Sequence, residues 1–154
     1  MSESLDHHDS LMCDRQAAAS ESVKPNVLIV DDEPDSRRIC AGYCDLFDHA
    51  SLAVKNVGEA AAALRRERFD IVLLSVHMAG ALDAVRAIRA LPPPAADAPI
   101  IGLAAMGKGD EAQRWMAAGL AAVLAKPITA RRLFRALVAA SKRGPAGARS
   151  WAPA

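Results

Sequence analysis

The chain of 154 residues has almost no net charge, few cysteines and no long apolar run, and each shortage excludes a class of protein. Lysine and arginine number 19 against 18 acidic residues, a formal net charge of +1, so neither nucleic acid nor an anionic membrane is expected as the main partner. Three cysteines are an odd number, and no CxxC pair occurs. That argues against a disulfide framework and fits a reducing cytosol. No apolar run approaches the ~18–20 residues of a membrane span, and the acidic start lacks the basic and apolar regions of a signal peptide. No glycine-rich phosphate loop follows the first candidate strand, where Asp31, Asp32 and Glu33 would repel phosphate, so a nucleotide- or flavin-binding domain ranks low. The expectation is a soluble, cytoplasmic protein without nucleic acid or membrane as partner.

The length suits one domain with a single core. Residues 1–24 carry Glu3, Asp6, Asp9, Asp14 and Glu21 against Arg15 and Lys24, a net of −3, with no apolar periodicity. They read as a disordered acidic tail, and His7–His8 within it as solvated side chains rather than a metal site. Residues 141–154 carry Lys142, Arg143 and Arg149, a net of +3, among Gly144, Pro145, Gly147 and Pro153, and read as a disordered basic tail. Neither tail is long enough to be expected to fold into an output domain. The folded unit is expected over 25–140.

Within it, strands and helices alternate. The strands are expected at Val27–Val30, Leu52–Val57, within Phe69–Gly80, at Ile100–Ala105 and at Ala121–Ala125. Glu33-Pro34-Asp35 opens the first helix, with proline where a first-turn residue lacks an intrahelical partner anyway. Ile39, Cys40, Tyr43, Cys44 and Phe47 supply its buried face; Cys40 and Cys44 fit core hydrophobes better than metal ligands beside His49. An Ala-rich helix at 60–67 offers Ala61 and Leu64 for packing. Leu82–Leu91 turns Val85, Ile88 and Leu91 inward and Arg86 and Arg89 outward, and Pro92-Pro93-Pro94 stops it. Met106, Gly107 and Gly109 fall in a loop, Asp110 and Glu111 start the fourth helix, and Gly119 ends it. Thr129 is the N-cap expected for the last helix, Ala130–Ala140, with the stripe Leu133, Phe134, Leu137 and Val138.

Five strands alternating with five helices imply an α/β doubly wound parallel sheet, order 2-1-3-4-5, with helices on both faces. The organising stretch is FDIVLLSVHMAG at 69–80, whose unbroken apolar run Ile71–Leu74 reads as a central strand covered on both sides. Chemistry in such sheets sits beyond the carboxyl ends of the strands. One central strand there ends in Asp31, Asp32 and Glu33, the other only in Ser75.

VLIVDDEPD (27–35), FDIVLLSVHMAG (69–80), PIIGLAA (99–105), AAGL (117–120) and LAKP (124–127), in this order, resemble the receiver domain of bacterial two-component response regulators. The resemblance spans roughly 26–140 and implies a flavodoxin- or CheY-like fold. In that family an Asp at the end of the third strand takes a phosphoryl group from a histidine kinase, with Mg²⁺ as cofactor. By this resemblance Asp31 and Asp32 match the acidic pair of the metal site, Lys126 the active-site lysine and Pro127 the cis proline after it. Four positions depart from the pattern. Ser75 stands where the family has the phospho-accepting Asp, Ala104 where it has a Thr or Ser, Val123 where it often has an aromatic residue, and Ala79 where a loop proline is usual.

These changes are chemically severe. An acyl phosphate needs a carboxylate nucleophile beside a divalent ion, and a serine hydroxyl is weak without a base. Mg²⁺ leans on one or two carboxylates, and Ser75 removes one. A pocket of three carboxylates and one lysine would carry about −2, whereas Asp31, Asp32 and Lys126 give about −1; a unit-charge pair at ~4 Å is worth roughly 4 kcal/mol at an effective dielectric of 20. No cofactor is therefore expected, beyond residual weak Mg²⁺ at Asp31 and Asp32. The expected function is an atypical, non-enzymatic receiver that binds another signalling protein (a histidine kinase, regulator or output protein) without phosphorylation. The alternative is a phosphorelay receiver modified at Ser75 or His77. A partner surface is expected on the fourth helix, fifth strand and fifth helix, from Ala112, Met116 and Val123 beside Arg131 and Arg135. Trp115 is expected to be packed.

Overall fold

The computed structural model describes residues 24–105 and 109–143. Most of the expected tails 1–24 and 141–154 (residues 1–23 and 144–154), the loop residues Met106 and Gly107, and the side chains of Asp110, Glu111, Lys142 and Arg143 lie outside the described residues. The elements run β1 (Asn26–Val30), α1 (Pro34–Leu46), β2 (Ala50–Val54), α2 (Val57–Arg66), β3 (Ile71–Ser75), α3 (Ala81–Arg89), a short 3-10 turn (Ala95–Asp97), β4 (Ile100–Ala104), α4 (Gly109–Ala117), β5 (Ala122–Ala125) and α5 (Ala130–Arg143). All four strand pairings are parallel, in the order β2-β1-β3-β4-β5.

Every residue of β3 is buried, which is why its sequence shows no alternation. The period-2 geometry of a strand still divides it. Val72 and Leu74 join Val85, Ile88 and Leu64 under α2 and α3, while Ile71 and Leu73 join Cys40, Cys44, Leu133 and Leu137 under α1 and α5. These are the two cores of a three-layer sandwich.

Local differences from expectation have identifiable causes. The second strand ends at Val54 rather than residue 57, and α2 begins at Val57 rather than 60, because Asn56 caps that helix. Its Oδ1 accepts from the Glu59 backbone N–H at 2.8 Å, while the Glu59 carboxylate accepts from Lys55 N–H at 3.0 Å. Asn-x-x-Glu is a capping signal that takes precedence over the β-propensity of Val57. Ala60, Ala63 and Leu64 form the buried side of α2, with Ala61 only half-buried. On α1 the buried line is Ser36, Cys40 and Cys44, spaced four apart, with Tyr43 and Phe47 partly buried beside it. Ile39 falls off that line and is 47% exposed. Phe134 is likewise 44% exposed, its ring edge-on to Phe47 at 5.0 Å, while Leu133 and Leu137 are buried.

Arg89 does not point outward. Its guanidinium donates to the carbonyls of Ala96 (2.8 Å), Ala98 (2.7 Å) and Gly119 (3.2 Å), tying the turn before β4 to the end of α4. Burial lowers its pKa. Gly109 lies in the first turn of α4 rather than in a loop, and α5 continues to Arg143. Gly119 ends α4 at φ +114°, a left-handed conformation that favours glycine. Thr129 caps α5 as expected, its Oγ1 accepting from Arg132 N–H at 3.3 Å.

Candidate functional site

The sheet ladders carry the site residues to one end of the molecule. Asp31 N–H extends the β1–β2 ladder to Val54 O at 3.1 Å, Val76 N–H extends β3–β4 to Leu103 O at 3.0 Å, and Lys126 N–H extends β4–β5 to Ala104 O at 2.7 Å. The carboxyl ends of the five strands therefore finish at the same edge of the sheet. Residues 95 positions apart in sequence meet there: Lys126 Nζ lies 3.1 Å from Asp31 Oδ2.

Asp31 is fully buried, and both of its carboxylate oxygens are engaged. Oδ2 accepts from Lys126, and Oδ1 accepts from Glu33 N–H at 3.0 Å. The Asp31 carbonyl accepts from the Arg37 guanidinium at 2.8 Å, which ties the first turn of α1 to the end of β1. Lys126 has a second partner, Glu33 Oε1 at 3.2 Å. Its side chain is 23% exposed, so the pair sits at the rim of the interior. Burial pulls the Lys126 pKa down, but the hydrogen bonds and charges of Asp31 and Glu33 outweigh it and raise the value above 10.5.

Asp32, the next residue, is exposed. Ser75 is buried, 3% exposed, at the last position of β3. Its hydroxyl has no hydrogen bond to a described residue. Ala104 is buried at the end of β4, while His77 is exposed in the loop after β3. Among the described residues no group of three or more His, Cys, Asp or Glu side chains is placed to hold a metal ion. Cys40 and Cys44 are buried thiols whose pKa values burial pushes up to about 11 and about 12.

The expected partner-surface residues divide. Arg131 and Arg135 are exposed, and Ala112 and Met116 are half-buried. Val123 and Trp115 pack against the core under α3. Sequence reasoning placed Glu33 with Asp31 and Asp32 at the end of the first strand, and at the start of the helix, but missed its pairing with Lys126. The signal was its position two residues past the end of an apolar strand, where side chains gather around the switch point.

A doubly wound sheet with a buried aspartate and a lysine joined across the ends of β1 and β5 fits the receiver class that the sequence motifs resemble. Residues 27–138 match the response regulator receiver domain family, and the chain belongs to that family. It is 33% identical over 114 residues to sensor histidine kinase AruS of Pseudomonas aeruginosa, covering 72% of this chain but 11% of that protein. To the response regulator protein PilR of Pseudomonas aeruginosa it is 34% identical over 122 residues, 78% of this chain and 26% of PilR. The chain thus spans a small part of the curated relatives it matches. Chemotaxis response regulator CheY4 of Vibrio cholerae has a similar fold, with a TM-score of 0.69 at 23% identity over 77% of this chain and 99% of that one. So does the receiver domain of a Pseudomonas aeruginosa sensor histidine kinase with a magnesium ion in its active-site cleft, at TM-score 0.69 and 24% identity, over 78% of this chain and 99% of that one. No helix among the described residues is long and apolar enough to cross a membrane.

Proposed function

We propose that this receiver has lost acyl-phosphate chemistry and signals as a phosphorylation-independent, non-enzymatic binding module for another cytoplasmic signalling protein. The observation that carries the reading is Ser75 at the end of β3, buried and without a hydrogen bond to a described residue, where the resemblance calls for a carboxylate. A hydroxyl there is neither an adequate nucleophile nor an anionic ligand. Asp31 and Asp32 do not make up the loss: both oxygens of Asp31 are committed to Lys126 and Glu33 N–H, and Asp32 faces solvent. The donor set does not fit the Mg²⁺ site that the related histidine-kinase receiver contains, beyond weak residual binding at Asp31 and Asp32.

The three charged residues have a structural task in this reading. Lys126, held by Asp31 and Glu33, fixes the β5–α5 connection against the β1–α1 connection by charge-assisted hydrogen bonds. Ala104, in place of a hydroxyl, leaves β4 without a group that would turn toward a phosphoryl oxygen. The surface then has a single standing conformation to offer a partner, on α4, β5 and α5 near Met116, Arg131 and Arg135. The test is Mg²⁺ titration of the wild-type chain beside Ser75→Asp with Ala104→Thr. The double variant is expected to bind the ion distinctly more tightly. Equal affinity in the two proteins would overturn the assignment of the pocket.

A further inference from the structure

The end of the sheet opposite the strand carboxyl termini carries a second feature that receiver chemistry does not use. A cleft of about 370 Å³ runs between the end of α2 and the proline turn after α3, floored by Leu64, Phe69 and Leu91 and walled by Pro92, Pro93 and Pro94. Arg65, Arg66 and Arg68 also line it, and no carboxylate among the described residues pairs with any of the three. Glu67 lines it too, its carboxylate accepting from the Asn26 side-chain amide at 3.2 Å. The cleft therefore has an apolar floor under a rim of three arginines and one acid, net positive.

The chain's own amino-terminal segment begins at this place. Asn26 is pinned to the loop that follows α2, its side-chain amide donating to Arg68 O at 2.7 Å and its backbone N–H to Asp70 Oδ2 at 2.8 Å. Pro25 lines an adjoining cleft that shares Arg68, Phe69 and Pro94 with the first. Residues 1–23 thus join the domain beside the arginines, and they are acidic: Glu3, Asp6, Asp9, Asp14 and Glu21 stand against Arg15 alone. They also hold one adjacent pair of large apolar residues, Leu11-Met12, flanked by Asp9 and Asp14.

We propose that this acidic segment docks in cis in the cleft, Leu11-Met12 on the apolar floor and Asp9 and Asp14 on the arginine rim. Charge complementarity, the unpaired arginines and the point of attachment all favour the same occupant. Met12 is thirteen positions from Pro25, a stretch that reaches at most ~45 Å when extended. Tethering raises the local concentration of the segment to the millimolar range, so a weak contact suffices to fill the cleft. The Debye length falls from ~8 Å at physiological ionic strength to ~3 Å at 1 M, so docking weakens with salt. In the docked state the segment withholds the cleft from acidic peptides of other proteins.

The full chain carries the handle for the test. Cys40 and Cys44 are buried with raised pKa values, which directs a nitroxide methanethiosulfonate label to Cys13, next to Met12. Amide peak intensities are compared with the label oxidised and reduced. The expected result is a loss centred on residues 64–69, Leu91 and Ala95 and smaller at Ser75 and Val76. That loss is relieved by salt, by Arg65→Glu with Arg66→Glu, and by Asp9→Lys with Asp14→Lys, the last pair leaving the folded domain untouched. An equal loss at both ends of the sheet, or a loss unchanged in the segment variant, overturns the proposal. So does a loss arising only between a labelled chain and an unlabelled, isotope-enriched copy, which assigns the cleft to a second molecule.

Discussion

Replacing Lys126 by methionine tests whether the lysine serves as structural counter-charge. Asp31 is fully buried, and the substitution strips its charged partner at 3.1 Å while leaving the Glu33 N–H at 3.0 Å. Breaking a buried ion pair from one side costs about 3–5 kcal/mol, because the orphaned charge stays in the interior. The lysine borders solvent and one hydrogen bond to Asp31 survives, so the lower end, about 3 kcal/mol, is expected. For a urea m-value of about 1–3 kcal/mol per M, the unfolding midpoint falls by roughly 1–3 M with the slope unchanged. Glu33→Gln removes only the contact to a carboxylate that is 60% exposed, and is expected to cost less than ~1 kcal/mol. Asp31→Asn added to Lys126→Met removes the stranded charge and recovers part of the loss. Equilibrium urea unfolding of the three variants reads all of this. A cost below ~1 kcal/mol for Lys126→Met, or no recovery in the double variant, would refute the reasoning.

Four further outcomes follow from the same structure. The folded pKa of Lys126 lies above its ordinary 10.5, so its stabilising contribution is complete below that pH and is lost as pH rises through the folded value; the stability gap between wild type and Lys126→Met should shrink above pH 10.5 and hold constant from pH 7 to 9. Gly42 lies mid-helix in α1 with nothing within 4 Å of an added Cβ, and Gly42→Ala should raise stability by about 0.5–1 kcal/mol in thermal unfolding. At Gly102, where a Cβ would sit 2.7 Å from Leu120 and 2.9 Å from Val76, the same substitution should lower it by about 1–3 kcal/mol. Cys40 and Cys44, with pKa values near 11 and 12, should stay unmodified by a thiol reagent at pH 8 until denaturant is added, read by mass.

The sheet and its order were legible because β3 is apolar up to Leu74, β4 is apolar along its length, and the intervening helices repeat at three and four residues. The meeting of Asp31 with Lys126 was legible too, since doubly wound topology brings strand ends together whatever the loops do. Local competition was harder to read. Asn56 outbid the β-branched Val57 through one capping hydrogen bond, and Ile39 lost its place in the core to a line of small residues four apart. Arg89 looks like a solvent-facing charge until the carbonyls it binds, up to 30 positions away, are in place. Glu33 was hidden for the same reason, since only the fold delivers Lys126 to it.

The central claim, that a hydroxyl at the end of β3 leaves the fold intact and its chemistry absent, is tested most directly by mass. The wild-type chain is incubated with acetyl phosphate and Mg²⁺, and its intact mass is compared with that of Ser75→Asp with Ala104→Thr. The account predicts no phosphoryl adduct on the wild type. A stable adduct on the wild-type chain, mapped to Ser75, His77 or an acidic side chain of the pocket, would contradict it.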